Sequence, residues 1–258
     1  MSVAADLLVY AGPTRYGSSA RDTFPALPVR WRPPIRRGDL ERLIEEEPPG
    51  VLAIVDGVFQ QSLSVGHAEI RMAIETGWTV WGLSSMGAIR AYEMRHLGVR
   101  GFGRVYDRFF RAEDFRDDEV ALLHSPEPPF DSISEPLVHL RVALEDLVTQ
   151  GVLRSDGARS IAESLEAMWF GDRTLICFRD MLLSSVAPEH VRSVQHYLSS
   201  FDKYRIKSHD LSDFLDRHML ERNAGAYGLA GPVPVARPSD GAGLPPAGIA
   251  PMSRRDRV

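Results

Sequence analysis

Cysteine is almost absent from this 258-residue chain. Cys177 stands alone, which excludes an intramolecular disulfide, a Cys-x-x-Cys redox pair and any zinc site built on several thiolates. Positive charge is not in excess either: the formal net charge is -5, so no sequence-wide field favours nucleic acid or an anionic membrane surface. Long apolar runs are missing as well. The run nearest the start, Leu7 to Ala11, is far too short to span a bilayer, and residues 1–13 lack the basic stretch that opens an export signal. No nucleic-acid or membrane partner is expected, and the cysteine usage fits a cytoplasmic protein. The scarcest informative residue is lysine. Of 30 basic residues only Lys203 and Lys207 are lysines, and the rest are arginine. The plain explanation is a bias towards arginine with two leftover surface lysines. The chemical one is that arginine never gives up its proton, whereas a desolvated lysine does, so a site that needs an amine base cannot accept arginine.

What is present reads as an ordinary globular α/β chain, 44% hydrophobic, with enough residues for one large domain or two small ones. Three short apolar runs, Asp6 to Ala11, Val51 to Val55 and Thr79 to Leu83, each end in turn residues and alternate with helical patterns at about 39–47, 65–76 and 87–98. That alternation predicts βαβ units in a small Rossmann-like parallel sheet, with ligands beyond the carboxyl ends of the strands. A loop through Gly101-Phe102-Gly103 and Asp117-Asp118-Glu119 leads to a proline-rich break at 126–129. Beyond it only helices are expected, at about 135–150, 155–170, 173–184, 188–201 and 206–222. The expected organisation is a sheet portion over 1–131, a helical portion over 132–222 and a tail over 223–258. That tail carries six glycines and six prolines and is expected to be disordered.

The sharpest local feature is the strand-turn-helix Thr79-Val80-Trp81-Gly82-Leu83-Ser84-Ser85-Met86-Gly87. A serine on such a turn stands at a helix N-terminus, where unpaired N–H groups of the following residues can receive a developing oxyanion. The spacing departs from Gly-x-Ser-x-Gly, since Leu83 stands two before Ser85, and a serine that merely caps the helix is the plain alternative. A base is needed. His67 or His209 in a triad is one option, and Lys207, at the start of a helix, is another. Asp56 and the cluster 117–119 are acidic enough to consider for a metal, although such groups are mostly solvated turns or caps; neither a metal nor a cofactor is expected. Cys177, among apolar neighbours, reads as a buried small hydrophobe.

The sequence resembles the TfuA-like family. The resemblance rests on Gly12-Pro13-Thr14, Arg32-Pro33-Pro34, Arg37-Gly38-Asp39, Asp56-Gly57-x-Phe59, His67-x-Glu69-Ile70, Ser85-Met86-Gly87-Ala88-x-Arg90-Ala91-x-Glu93, Gly101-x-Gly103 and Asp117-Asp118-Glu119. It covers about residues 6–130 and, more loosely, the helices to Arg222. The resemblance implies a partner of YcaO enzymes in peptide-backbone thioamidation, taking sulfur from a thiocarboxylated ThiS-type carrier through a Ser-Lys pair. By position that pair is Ser85 and Lys207. Joined to that resemblance, the residues imply a chemistry in which a desolvated, neutral Lys207 takes the Ser85 proton, the serine attacks the thiocarboxylate carbon, and the N–H groups of Met86 and Gly87 hold the oxyanion. Ser84 and Asp56 are candidate orienting residues. Gly12, Thr14, Gly57, Gly101 and Gly103 are candidates for a narrow groove that accepts the carrier's thin tail, and Arg90 for an anionic group. The competing reading is a non-catalytic docking partner that raises the affinity of a YcaO enzyme for its peptide. A nucleotide binder is weakly supported, because Gly101-x-Gly103 is expected in a loop rather than between a strand and a helix.

Overall fold

The structure is a computed structural model and describes residues 7–17, 29–58, 63–111 and 116–226. Residues 1–220 form one compact unit and 221–258 a second; the sheet and the cleft lie in the first. The apolar run at the start becomes β1, Leu7–Tyr10, every residue of which is buried because it runs through the middle of the sheet. It is followed by β2 (Val29–Arg32), β3 (Val51–Ile54), β4 (Thr79–Leu83) and β5 (Arg100–Phe102), in the spatial order β2-β1-β3-β4-β5. All four pairings are parallel, with Leu7 opposite both Val29 and Val51, Val51 opposite Thr79, and Trp81 opposite Arg100. The order reverses at β1. In a doubly wound sheet the crevice beyond the carboxyl ends of β1 and β3 is then the place for a ligand.

Helices cover both faces because the strands are apolar on both. On one side, α2 (Asp39–Glu46), α3 (His67–Glu75) and α4 (Met86–Glu93) bury Leu40, Leu43, Ile70, Met86 and Ala91 against Leu8, Leu52, Ile54 and Val80. On the other, Leu211, Phe214 and Leu215 pack on Leu7, Val9, Ala53 and Val55. These three residues belong to the last helix, α10 (Ile206–Ala226), which therefore completes the sheet rather than standing apart in a helical half. Between them run a one-turn α1 (Pro13–Tyr16), α5 (Gly103–Arg111), α6 (Leu137–Thr149), α7 (Ser155–Ala167), α8 (Leu175–Ser185) and α9 (Val191–Ser199). α6 is buried almost all round and joins α4, α5, α8 and α9 in the largest core.

The parallel α/β architecture agrees with the sequence reading, and two segments correct it. The edges of the sheet, β2 and β5, went unread, and residues 100–111 form a strand and a helix where a loop was expected. β2 is short and alternates Val29 and Trp31 with exposed Arg30 and Arg32, as an edge strand does. Gly101-x-Gly103 therefore does stand at a strand-helix junction. The tail beyond 226 lies outside the described residues, and no described helix is long and apolar enough to cross a membrane.

Helix α4 approaches the sheet backbone to backbone. A Cβ on Gly87 would lie 1.8 Å from the carbonyl oxygen of Ile54, and one on Gly82 would lie 2.1 Å from that of Gly87. Gly87→Ala is expected to destabilise the fold by about 3 kcal/mol or more, because main chain cannot step aside. Gly38→Ala, strained at φ 84° but with nothing within 4 Å, should cost only about 1 kcal/mol. Urea unfolding of both variants measures the difference.

Candidate active site

Three strand ends build the floor of the site. After β3, Asp56 is buried, and its carboxylate turns back to the end of β1. One oxygen accepts the N–H groups of Gly12 (2.8 Å) and Thr14 (3.0 Å), and the other accepts the Thr14 hydroxyl at 2.6 Å. A carboxylate so placed satisfies the donors at the start of the one-turn helix α1, which has no cap of its own. Asp56 thus ties the two strands flanking the reversal point together.

After β4 the chain turns sharply. The Ser85 N–H donates to the Leu83 carbonyl at 2.7 Å, closing a three-residue turn with Ser84 at its centre and at φ 63°. A positive φ at a non-glycine residue stores strain, as a nucleophile elbow does. Ser84 is fully buried, and its hydroxyl has no hydrogen-bond partner among the described residues. Ser85 is the N-cap residue of α4, yet its side chain makes no capping bond; it lines the cleft instead. The cap explanation for this serine therefore does not describe its hydroxyl. Behind it, the Gly87 N–H donates to the Val55 carbonyl at 3.1 Å and is already engaged. The Met86 N–H has no acceptor among the described residues.

Lys207 arrives from the opposite face of the sheet, in the first turn of α10. It is 2% exposed, and its ammonium group donates one hydrogen bond, to the Val120 carbonyl at 3.0 Å. No ion pair reaches it among the described residues. Burial holds its pKa below the ordinary lysine value, and the negative charges of Asp56 and Glu135 work in the other direction. Lys203 makes the contrast: it pairs with Asp146 at the surface and lies over the rings of Tyr197 and Tyr204.

Ser85, Lys207, Asp56 and Gly57 line one cleft of about 460 Å³. Its walls mix apolar side chains, Pro33, Pro34, Phe130 and Trp169, with the polar Arg36, His124 and Glu127. Ser85 and Lys207 are 122 positions apart in the chain and share this cavity, and no hydrogen bond joins them. Gly57 lets the lining segment pack directly on Met86, since a Cβ there would meet the Met86 sulfur at 2.1 Å. Gly12 and Thr14 stand in the turn that Asp56 holds.

Other candidates lie elsewhere. Arg90 donates to the Val65 carbonyl and pairs with Glu93 at 2.7 Å, outside the cleft. His67 pairs with the same glutamate. Gly101 packs under the Tyr106 ring and Gly103 against the Asp210 carboxylate. That carboxylate accepts the N–H groups of Arg104 and Val105, both at 2.9 Å, so the helix N-terminus after Gly101-x-Gly103, where a phosphate would dock, is filled by the chain itself. In the acidic cluster Asp118 pairs with buried Arg173 and Glu119 with Arg141. Cys177 is half-buried rather than buried, and burial raises its thiol pKa, with Asp180 and Asp172 adding to the effect.

The wall residues Phe130 and Trp169 and the Val120 carbonyl escape sequence reasoning because they come from irregular segments with no periodicity. His139 escapes it too: nothing in an apolar helical pattern distinguishes it from a packing residue, yet its ring contacts the backbone of Lys207.

Compared with known proteins, residues 56–174 match the model of the TfuA-like protein family. The match takes in Asp56, the Ser84-Ser85 turn and the Val120 loop, and ends before Lys207. No curated protein matches the chain.

Asp56→Ala leaves two buried N–H groups and a buried hydroxyl without an acceptor. It is expected to cost about 3 kcal/mol or more in urea unfolding. Cys177, its thiol pKa raised, is expected to react with iodoacetamide at pH 8 more slowly in the native protein than in the urea-unfolded one.

Proposed function

On the premise that this chain is TfuA-like over residues 56–174, we propose that it is a serine hydrolase of protein thiocarboxylates. In this reading it releases sulfide from a ThiS-type carrier and supplies a YcaO enzyme that makes peptide thioamides. The observation that carries the proposal is the pairing in one cleft of a serine on a strained strand-helix turn with a buried lysine whose pKa is depressed.

In this reading the reaction runs in two steps. Neutral Lys207 takes the proton of the Ser85 hydroxyl, and the serine oxygen attacks the carbonyl carbon of the carrier's terminal thiocarboxylate. The Met86 N–H, pointing from the helix N-terminus, stabilises the oxyanion; the Gly87 N–H, bound to Val55, does not take part. The carbon–sulfur bond breaks, the proton held by Lys207 goes to the leaving sulfur, and hydrosulfide departs from an acyl-serine. Water then adds to the ester carbon, Lys207 again accepts a proton, and the carrier leaves as a carboxylate with Ser85 regenerated. Burial of the amine lowers its pKa and so favours the neutral form this step requires. Asp56 acts by holding the cavity floor. Its charge also raises the basicity of the lysine it faces.

A docking role is favoured by one observation: Trp169, on the cleft wall, is 53% exposed and offers a large apolar surface to a partner. The two roles are compatible and separate on the sulfur source, because a purely docking protein carrying Ser85→Ala still supports thioamide formation from free sulfide and from the carrier alike.

The test is sulfide release from a thiocarboxylated carrier by folded variants. Ser85→Ala and Lys207→Arg are each expected to lose about 10³-fold or more in kcat, the arginine because it keeps its proton. Ser84→Ala is expected to remain within about tenfold of wild type, as its hydroxyl is sealed from the cleft. Wild-type release by Lys207→Arg would reduce the lysine to a structural residue. Loss of activity in Ser84→Ala alone would transfer the attack to the neighbouring serine.

A further inference from the structure

The first N–H groups of a helix lack acceptors within it, and the usual remedy is a polar side chain on the residue before. Helix α10 is preceded by Arg205, which can only donate. Its Lys207 N–H finds an acceptor in another helix instead: Nε2 of His139 in α6, 3.3 Å away and buried. For Nε2 to accept, the ring must be neutral with its proton on Nδ1, and Nδ1 faces the Glu135 carboxylate at 3.0 Å. The other Glu135 oxygen accepts from Arg205 Nε (3.1 Å) and Nη2 (2.6 Å). The residues on either side of Ile206 are thus fixed by one glutamate-histidine pair at the start of α6. Among the described residues the Lys207 side chain has one hydrogen-bond partner, the Val120 carbonyl, so where its amine sits depends on where this first turn is anchored.

We infer that His139 is a positioning residue for Lys207: its neutral imidazole, oriented by Glu135, caps α10 from outside and sets the amine at the cleft floor. The inference rests on the reading of Lys207 as the base only for its catalytic consequence. The groups facing the ring are Glu135, Lys207 and Arg205. Burial lowers the imidazole pKa to about 4; Glu135 pulls it up, and the two cations push it further down. Protonation replaces the acceptor with a donor that meets the Lys207 N–H head on and sets a buried positive charge beside Lys207 and Arg205. Because the folded pKa lies below the ordinary histidine value, the stability this residue contributes is complete above about pH 6.5 and is lost as the pH falls through about 4.

The scarcity of lysine makes a direct test available. With ε-13C lysine the protein gives two side-chain signals, Lys203 and Lys207. In wild type the Lys207 signal is expected to titrate below the ordinary lysine value. His139→Leu should move the Lys207 midpoint towards the ordinary lysine value, whereas His139→Gln, whose carbonyl oxygen replaces Nε2 as acceptor, should keep it, the distant Lys203 signal serving as the internal control. An unchanged Lys207 signal in folded His139→Leu overturns the inference. Should that variant fail to fold, the wild-type titration decides: the Lys207 shift must change in step with protonation of His139 near pH 4, and an independent course overturns the inference. If the protein does release sulfide, His139→Leu should lower kcat about 10²-fold with KM unchanged. A Lys207 signal that responds to His139 in a protein that releases no sulfide would sink the hydrolase reading and leave this one standing.

Discussion

The constraint on which the site depends is the burial of one amine. A lysine side chain taken out of water without a countercharge in contact is costly, and proteins escape the cost by letting it go neutral. Among the described residues the ammonium group of Lys207 meets a single carbonyl, and the carboxylates of Asp56 and Glu135 act on it through space. The fold spends several side chains on keeping that position dry. Tyr204 and Phe201 close one flank of the helical core, Trp169 and Phe170 line the cleft, and buried Arg173 braces the Asp118 loop whose continuation supplies the Val120 carbonyl. Arg173 reaches four acceptors from complete burial, so it is itself satisfied where Lys207 is not. Of these two buried residues, Arg173 is a brace held at several points and Lys207 is held at one.

The second organising element is the order of the sheet. Because β1 and β3 are neighbours and run parallel, their carboxyl ends emerge side by side, and Asp56 can span them with one carboxylate. Next to them β4 delivers the two serines. Positive φ at Ser84 buries that residue and turns the following one towards the cleft. Strain at one serine is thus the means of presenting the other.

Much of this was legible in the sequence, for identifiable reasons. β1, β3 and β4 are central, apolar on both faces and bounded by turn residues, so they stand out; β2 and β5 are edge strands, one alternating with arginine and the other three residues long with a glycine, and they do not. The serine turn was legible because helix N-terminus, small residues and strand meet within nine positions. Lys207 was noticed for a chemical reason, the rarity of lysine beside arginine, and the structure places it in the cleft with Ser85. The groove expected from glycine loops was only partly placed: Gly57 lies on the cleft floor, whereas Gly101 and Gly103 make close contacts with Tyr106 and Asp210 that no local pattern encodes. His139 and Trp169 were invisible because their roles arise from packing across more than sixty positions or from an irregular wall.

Helix α10 carries two tasks one turn apart. Lys207 points at the cleft while Asp210 plugs the start of α5, and Ser208 between them donates to the Thr14 carbonyl in the turn after β1. A single rod therefore latches the turn after central β1 and the start of α5 after edge strand β5, and it cannot be shifted at one latch without moving the other. Mechanically, the amine is not on a loose arm that swings to meet substrate; it is part of the frame, and the cleft must admit its ligand around a fixed post.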